Sequence, residues 1–251
     1  MPEPTKIIVV GAGSGIGRAT ALDFAGRGAR VALLGRTAAT VEETAAMINT
    51  GTRDRARGWT VDVTDQDQVG PAVEQARSWL DGLDVAVNSA GVLGPAAPAG
   101  DLDLDRWRRT VDINLTGTMI CLQAEIAALR NSGGGAIVNI ASNLGQHARP
   151  AGLAAYAASK AAVAVLTRTA ARDHIAENIR INAVSPGPID TTMSIRPGET
   201  RADRDRRMVQ THPSGRVGRL DEVVAAIRYL ASEQASYHVG ADLVIDGGVS
   251  A

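Results

Sequence analysis

Short apolar runs alternate along this chain with longer segments in which apolar residues recur every three to four positions. The short runs predict β-strands at Lys6–Val10, Arg30–Leu34, Arg57–Val61, Leu83–Asn88, Gly135–Ile140, Arg180–Val184 and Asp242–Ile245. The longer segments predict helices near Gly15–Gly28, Ala38–Ile48, Gln66–Leu80, Leu104–Leu129, Tyr156–Ala176 and Asp221–Leu230. The strand runs are rich in Val, Ile and Leu rather than alternating with polar residues, as expected for strands covered on both faces. Strand–helix repetition implies right-handed βαβ units, hence an α/β fold with a parallel sheet between two helical layers. No Pro- or Ser-rich linker divides the chain, so residues 1–251 are expected to form one domain.

One segment breaks the rhythm. Thr191–Arg219 carries Pro197, Pro213, three glycines (Gly198, Gly215, Gly218) and a dense set of arginines, without apolar periodicity. It is too long for an ordinary connection, and such excursions are either solvated surface or functional lids. Its place late in the chain, beside the candidate site described below, favours a lid.

Composition narrows the function. A chain of 251 residues buries enough surface to need neither disulfide nor structural metal. The net charge of -1 gives no global attraction to nucleic acid or to an anionic membrane. No apolar run approaches a membrane span, and Met1–Thr5 leads straight into Ile7 without the marks of a signal peptide. With Cys121 as the one cysteine, a cytoplasmic location is expected. His147, His174, His212 and His238 show no ligand spacing, so no catalytic metal is expected; His147 reads as a surface-loop residue rather than a pocket wall. Lys6 and Lys160 are the only lysines among 26 basic residues, and lysine, unlike arginine, can be tuned near neutrality.

The candidate chemistry begins after the first strand, where Gly11, Ala12, Gly13, Ser14, Gly15, Ile16 and Gly17 form a glycine-rich turn opening a helix. A helix N-terminus exposes free N–H groups, and glycines let a pyrophosphate approach them. The bland alternative is a tight strand–helix turn. The second strand ends in Gly35 and Arg36. An acidic residue at Gly35 would bind adenosine ribose hydroxyls and repel a 2′-phosphate; an uncharged seat beside a guanidinium favours NADP(H), with NAD(H) possible. Asp62 and Val63 follow the third strand, although Asp62, Thr64 or Asp65 would also serve to cap the next helix. Asn88, Ser89, Ala90 and Gly91 follow the fourth: Asn88 suits joining strand ends, and the small residues leave room for a ribose.

Tyr156 and Lys160 lie four residues apart in a helical pattern, so they share a face. With three tyrosines and two lysines in the chain, such a pair is expected by chance only about 0.02 times, though a motif match stays a hypothesis. A free phenol is a poor acid–base group at neutrality, and a neighbouring ammonium lowers its pKa. Ser142 follows the fifth strand, at the sheet edge where ligands bind in such folds; a turn cap is the alternative. Asn114 interrupts a long helical pattern, which hints at a kink or a water site.

Taken in order, the glycine turn, Asn88–Gly91, Asn114, Ser142, Tyr156, Lys160, Pro186–Gly187 and the terminal Val244–Gly248 resemble the motifs of the short-chain dehydrogenase/reductase family, single-domain branch. The resemblance implies a Rossmann-like doubly wound seven-stranded sheet in the order 3-2-1-4-5-6-7. It implies an oxidoreductase moving a hydride between a nicotinamide cofactor and a carbonyl or secondary alcohol. Tyr156 would be the general acid/base and Lys160 would lower its pKa and bind the nicotinamide ribose; Ser142 would orient the substrate oxygen and Asn114 would hold a relay water. Thr191, with Ile189, Pro186 and Gly187, resembles the family's nicotinamide contacts, and 191–219 falls where the family has its lid. Homotetramers are usual in the family. Three departures stand out: Val10 where threonine is common, Asn88-Ser89 for Asn-Asn, and a Ser142–Tyr156 gap one residue longer than usual. Two other functions share the pattern: a ketoreductase for carrier-protein-bound acyl chains, whose phosphopantetheine the lid arginines would meet, and a non-catalytic cofactor sensor or scaffold.

Overall fold

The computed structural model describes residues 5–52 and 54–251. Seven parallel strands form one sheet in the order β3-β2-β1-β4-β5-β6-β7, as the resemblance implied. The strands are β1 (Lys6–Val10), β2 (Arg30–Gly35), β3 (Ala56–Thr60), β4 (Val85–Asn88), β5 (Gly135–Ile140), β6 (Ile179–Pro186) and β7 (Asp242–Ile245). Eight α-helices accompany them among the described residues: α1 (Gly15–Gly26), α2 (Ala38–Asn49), α3 (Gln66–Leu80), α4 (Leu104–Val111), α5 (Gly117–Arg130), α6 (Ala154–His174), α7 (Arg201–Thr211) and α8 (Leu220–Ala231).

The unbroken apolar runs follow from this double cover. Successive side chains of a strand point to opposite faces. Ile7 and Val9 therefore enter a core with Phe24 of α1, Val41 of α2 and Ile227 of α8. Ile8 and Val10 enter a second core with Val69 of α3, Leu122 of α5 and Ala171 of α6. All four strand residues are fully buried. Helix α2 comes close to the sheet because Gly35 and Gly58 leave room: a Cβ at either would meet the Val41 side chain at 2.9 Å or 2.7 Å.

Two elements differ from expectation. The helix expected over Leu104–Leu129 is divided by a π-helical turn, Asp112–Thr116, between α4 and α5. Asn114 sits at its centre, so the poor helix former does mark a local break. The 191–219 segment contains a helix, α7, where no periodicity was visible. Only Arg204 and Met208 of α7 are buried, so it has no apolar stripe to read. Charge holds it instead. A capping box joins Thr200 and Asp203, while Arg204 bonds Asp190 at 2.7 Å and Arg207 bonds Glu199 at 2.8 Å. The ends of the segment meet in a bridge between Ile189 and Gly218.

Candidate active site

The carboxyl ends of β1, β2 and β4 surround a crevice of about 190 Å³ whose walls include Gly11, Ser14, Arg36, Asp62, Val63, Ala90 and Gly91. The glycine turn is shaped by its neighbours. Gly11 has φ +80°, and a Cβ there would lie 2.6 Å from the Ala90 nitrogen; at Gly17 it would lie 2.2 Å from the Gly11 carbonyl. No larger residue fits either place without moving backbone. Ser14 precedes α1 with an extended backbone and no side-chain cap, so Gly15, Ile16 and Gly17 occupy the first turn, where amides lack helical acceptors. The absence of an acidic side chain from that turn leaves its positive end available to an anion. Gly15 lies opposite Thr191, whose methyl would be 3.5 Å from a Cβ there. The loop after β6 thus faces the turn, with Pro186 closing β6, Ile189 buried, and Gly187 packed where a Cβ would meet Asp246 at 2.7 Å.

Asp65, not Asp62, caps α3 by accepting from the Asp67 amide at 3.0 Å. Asp62 stays on the crevice wall, where its carboxylate accepts from the Thr64 amide and hydroxyl at 3.0 Å and 2.8 Å. These bonds, with the charges of Arg36 and Arg109, hold it below the usual carboxylate range. Val63 is buried against Gly117, the first residue of α5.

Asn88 joins strand ends, as its position at the end of the fourth strand suggests. Its side chain turns into the core and donates to Glu125 at 2.7 Å and to Asn139 at 3.0 Å. Asn139 in turn donates to Thr167 at 2.9 Å, so one buried network joins β4, β5, α5 and α6 beneath the site. Asn88 Oδ1 and Glu125 Oε1 are buried without a hydrogen-bond partner among the described residues. Burial raises the Glu125 carboxyl to about 7. The departure at Val10 is absorbed by backbone: the Ser89 amide donates to the Val10 carbonyl at 2.9 Å.

The four expected catalytic residues converge. Tyr156 and Lys160 share the buried face of α6, and Ser142 follows β5. The Leu144 amide donates to Ser142 Oγ at 3.1 Å, which leaves the hydroxyl proton free to point elsewhere. The Ser142 hydroxyl lies near enough to the Tyr156 phenol to favour its ionised form. Asn114 accepts from the Val92 amide at 2.8 Å and donates to the Val92 carbonyl at 2.9 Å and to Ser159 at 3.0 Å. Lys160 Nζ donates to the Ile140 carbonyl at 2.7 Å. A Cβ on Gly91 would stand 3.2 Å from Asn114 Oδ1 and 3.3 Å from Lys160 Nζ, so Gly91 is where the two meet.

The expected lowering of the phenol by Lys160 is not the electrostatics found. Burial raises the Tyr156 pKa, offset in part by Ser142. Burial also pushes Lys160 down to about 8, and its ammonium is directed at the Ile140 carbonyl. His147, part-buried rather than fully on the surface, pairs with Asp242 of β7 at 2.8 Å. Among the described residues no cluster of His, Cys, Asp or Glu could hold a metal, and no helix is long and apolar enough to cross a membrane. Ile113, Val92, Thr37 and Thr40 also line the crevice. Their sequence signature is that of ordinary core or helix-entry residues, so only the fold reveals them.

A family model described as enoyl-(acyl carrier protein) reductase matches residues 11–250. The cis-4-hydroxycyclohexanecarboxylate dehydrogenase of Sinomonas cyclohexanicum is 42% identical over 245 residues, 97% of this chain and 96% of that protein. A short-chain type dehydrogenase/reductase from Mycobacterium marinum superposes with a TM-score of 0.90 at 36% identity, covering 99% of this chain and 96% of its own. An NAD+-bound xylitol dehydrogenase gives a TM-score of 0.89 at 31% identity, with 97% and 98% covered. With the fold, the crevice and these relatives in agreement, the chain belongs to the short-chain dehydrogenase/reductase family and is an oxidoreductase of the alcohol–carbonyl couple.

Proposed function

We propose that the protein is an NADP(H)-linked enzyme that interconverts a small secondary alcohol, foremost a ring alcohol, with its ketone. Tyr156 would give a proton to the substrate oxygen in reduction and take it back in oxidation. The observation that carries this reading is the meeting of Tyr156 with Ser142 at the end of β5, beside the Lys160–Asn114–Gly91 junction. The bound nicotinamide would supply or accept the hydride. Gly15, Ile16 and Gly17, following Ser14, fit the pyrophosphate because the amides of this first turn are uncapped, while Gly11, its own amide bonded to the Leu34 carbonyl, keeps a side chain out of the turn. Asp62 and Val63 would hold the adenine, Ala90, Gly91 and Lys160 the nicotinamide ribose, and Pro186, Gly187, Ile189 and Thr191 the carboxamide. Ser142 would hold the substrate oxygen. The ring-alcohol preference rests on the Sinomonas relative.

The NADP(H) preference rests on Arg36, exposed at the crevice edge beside Gly35, without a carboxylate at the end of β2. An aspartate at Gly35 is a poor test, because its Cβ would press on buried Val41 at 2.9 Å. Arg36→Gln is the cleaner one: it should raise KM for NADPH and leave that for NADH. A wild type that favours NADH refutes the preference. Residues 191–219 would form the lid, hinged at the Ile189–Gly218 bridge.

The carrier-bound reading is disfavoured because most arginines of the lid have carboxylate partners. Arg201 and Arg204 bond Asp190, Arg206 bonds Asp203, Arg207 bonds Glu199, and Arg216 bonds Glu222. A sensor would need neither Ser142 nor the buried phenol. For the assembly we propose a homotetramer in the cytosol. Supporting it, α4, α5 and α6 expose Leu104, Met119 and Val165, and the C-terminal region exposes Tyr237 fully. Light scattering on the purified protein tests this. The decisive experiment for function is Tyr156→Phe assayed on cyclic ketones with NADPH. Turnover should vanish while cofactor binding persists, and retained turnover contradicts the assignment.

A further inference from the structure

Next to the dinucleotide crevice lies a larger cavity of about 480 Å³, open toward α4. The two share Arg36, Asp62 and Ile113 as walls, so they adjoin beside the ends of β2 and β3. Beyond the shared walls the cavity is lined mainly by α4 side chains, among them Arg106 and Arg109. Arg109 precedes Ile113 by four residues on a continuous helical backbone, so it occupies the same wall one turn earlier.

The cations around this cavity are not equivalent. Arg108 is committed to Asp105 at 2.7 Å. The side chains of Arg36, Arg106 and Arg109 have no ion pair or hydrogen bond among the described residues. Arg36, following β2, and Arg109, on α4, line this cavity together with Asp62, whose carboxyl both depress by their charge. That carboxylate is already bonded to Thr64. With Arg108 paired to Asp105, the lining sets Arg36, Arg106 and Arg109 against Asp62 and Asp112, which leaves an excess positive charge toward an entering anion.

A phosphate monoester near pH 7 carries between one and two negative charges and presents three strong acceptor oxygens. One exposed arginine, screened by solvent, holds such a group poorly, whereas a pair of planar guanidinium forks matches its geometry. We propose that Arg109 of α4 is the second arm of a 2′-phosphate seat, closing with Arg36 on the adenosine ribose. The inference rests on the NADP(H) reading above and adds a specificity residue to it. It also explains how an enzyme with a carboxylate at Asp62 can accept a further negative charge nearby.

The test is calorimetric titration of adenosine 2′,5′-bisphosphate and of 5′-AMP into the intact wild type, Arg109→Gln and Arg108→Gln. Both substituted positions are exposed, and melting curves check that folding is unchanged. The wild type should favour the bisphosphate, and Arg109→Gln should weaken it roughly tenfold, the scale of one lost charge-assisted hydrogen bond, while 5′-AMP is unaffected. Arg108→Gln should change neither by more than about twofold, as for a solvent-screened surface pair. If the wild type favours the bisphosphate and Arg109→Gln preserves that preference, the Arg109 assignment fails and the NADP(H) reading survives. Equal weakening of both nucleotides by Arg109→Gln also overturns it, because the residue then acts on the adenine or the fold. If the wild type does not distinguish the two nucleotides, the NADP(H) reading falls and takes the second arm with it.

Discussion

Glu125→Gln should stabilise the protein in alkaline solution and do little in acid. Glu125 is fully buried on α5, with the Asn88 amide on one carboxyl oxygen and no partner on the other. Burial raises its pKa from 4.5 to about 7, and the bond from Asn88 only partly offsets that. The unfolded chain loses this proton near 4.5 while the folded chain retains it to about 7, so stability falls as pH rises between those values and then levels. A shift of that size corresponds to a cost of about 3 kcal/mol above pH 7. Glutamine has no proton to lose, and its amide can offer a donor toward the unpartnered Asn88 oxygen. Cys121, one turn earlier, does not confuse the result: burial and the Glu125 charge keep its thiol protonated well into the alkaline range. The assay is a melting curve at one fixed protein concentration from pH 5 to 9, since any oligomer makes Tm depend on concentration. Each kcal/mol moves Tm by roughly 2–4 °C in a chain of this size, so the variant should gain about 6–12 °C at pH 8 to 9 and close to nothing near pH 5. A wild-type and variant difference that is flat across pH would refute the reasoning, as would a variant less stable at pH 8.

Three more outcomes follow from particular contacts. Gly91→Ala would press a methyl against Asn114 Oδ1 and Lys160 Nζ at 3.2 Å and 3.3 Å. It should cut kcat about tenfold or more, the scale of a small misplacement at a reacting centre, with an unchanged far-UV spectrum; full activity means that the junction tolerates displacement. Asn114→Ala removes the clamp on Val92 and leaves a partly buried amide unpaired, so it should cost about 1–3 kcal/mol in denaturant unfolding. A loss confined to turnover would instead assign Asn114 to the chemistry alone. Arg204→Met keeps an unbranched aliphatic stem but releases Asp190 and Ser194, so the lid should become more susceptible to limited trypsin cleavage while global unfolding changes little. Unaltered cleavage would show that Met208 and the capping box suffice to hold α7.

The sheet is encoded locally along the chain. Continuous Val/Ile/Leu runs at Ile7–Val10 and Val31–Leu34 require cover on both faces, and the intervening periodic segments supply it in a right-handed order. The candidate Tyr156–Lys160 pair and the glycine turn are legible in the same way, because spacing on one helix and freedom from a Cβ are local properties. Properties that depend on distant elements emerge from packing alone. Asn88 suits joining strand ends by position alone, but that Glu125 of α5 and Asn139 of β5 are its partners is a product of packing. Helix α7 left no periodic signal because carboxylates from Asp190 and Glu199, rather than an apolar stripe, hold it. The acidity of Tyr156 could not be read from the nearness of a lysine in the sequence, since burial of the phenol and the turn of Lys160 toward Ile140 are properties of the packed core. Arg109 was one arginine among many until α4 brought it to the cavity it shares with Arg36. Hydrophobic period and backbone geometry are encoded a few residues at a time, whereas charge environment is a sum over everything the fold brings near.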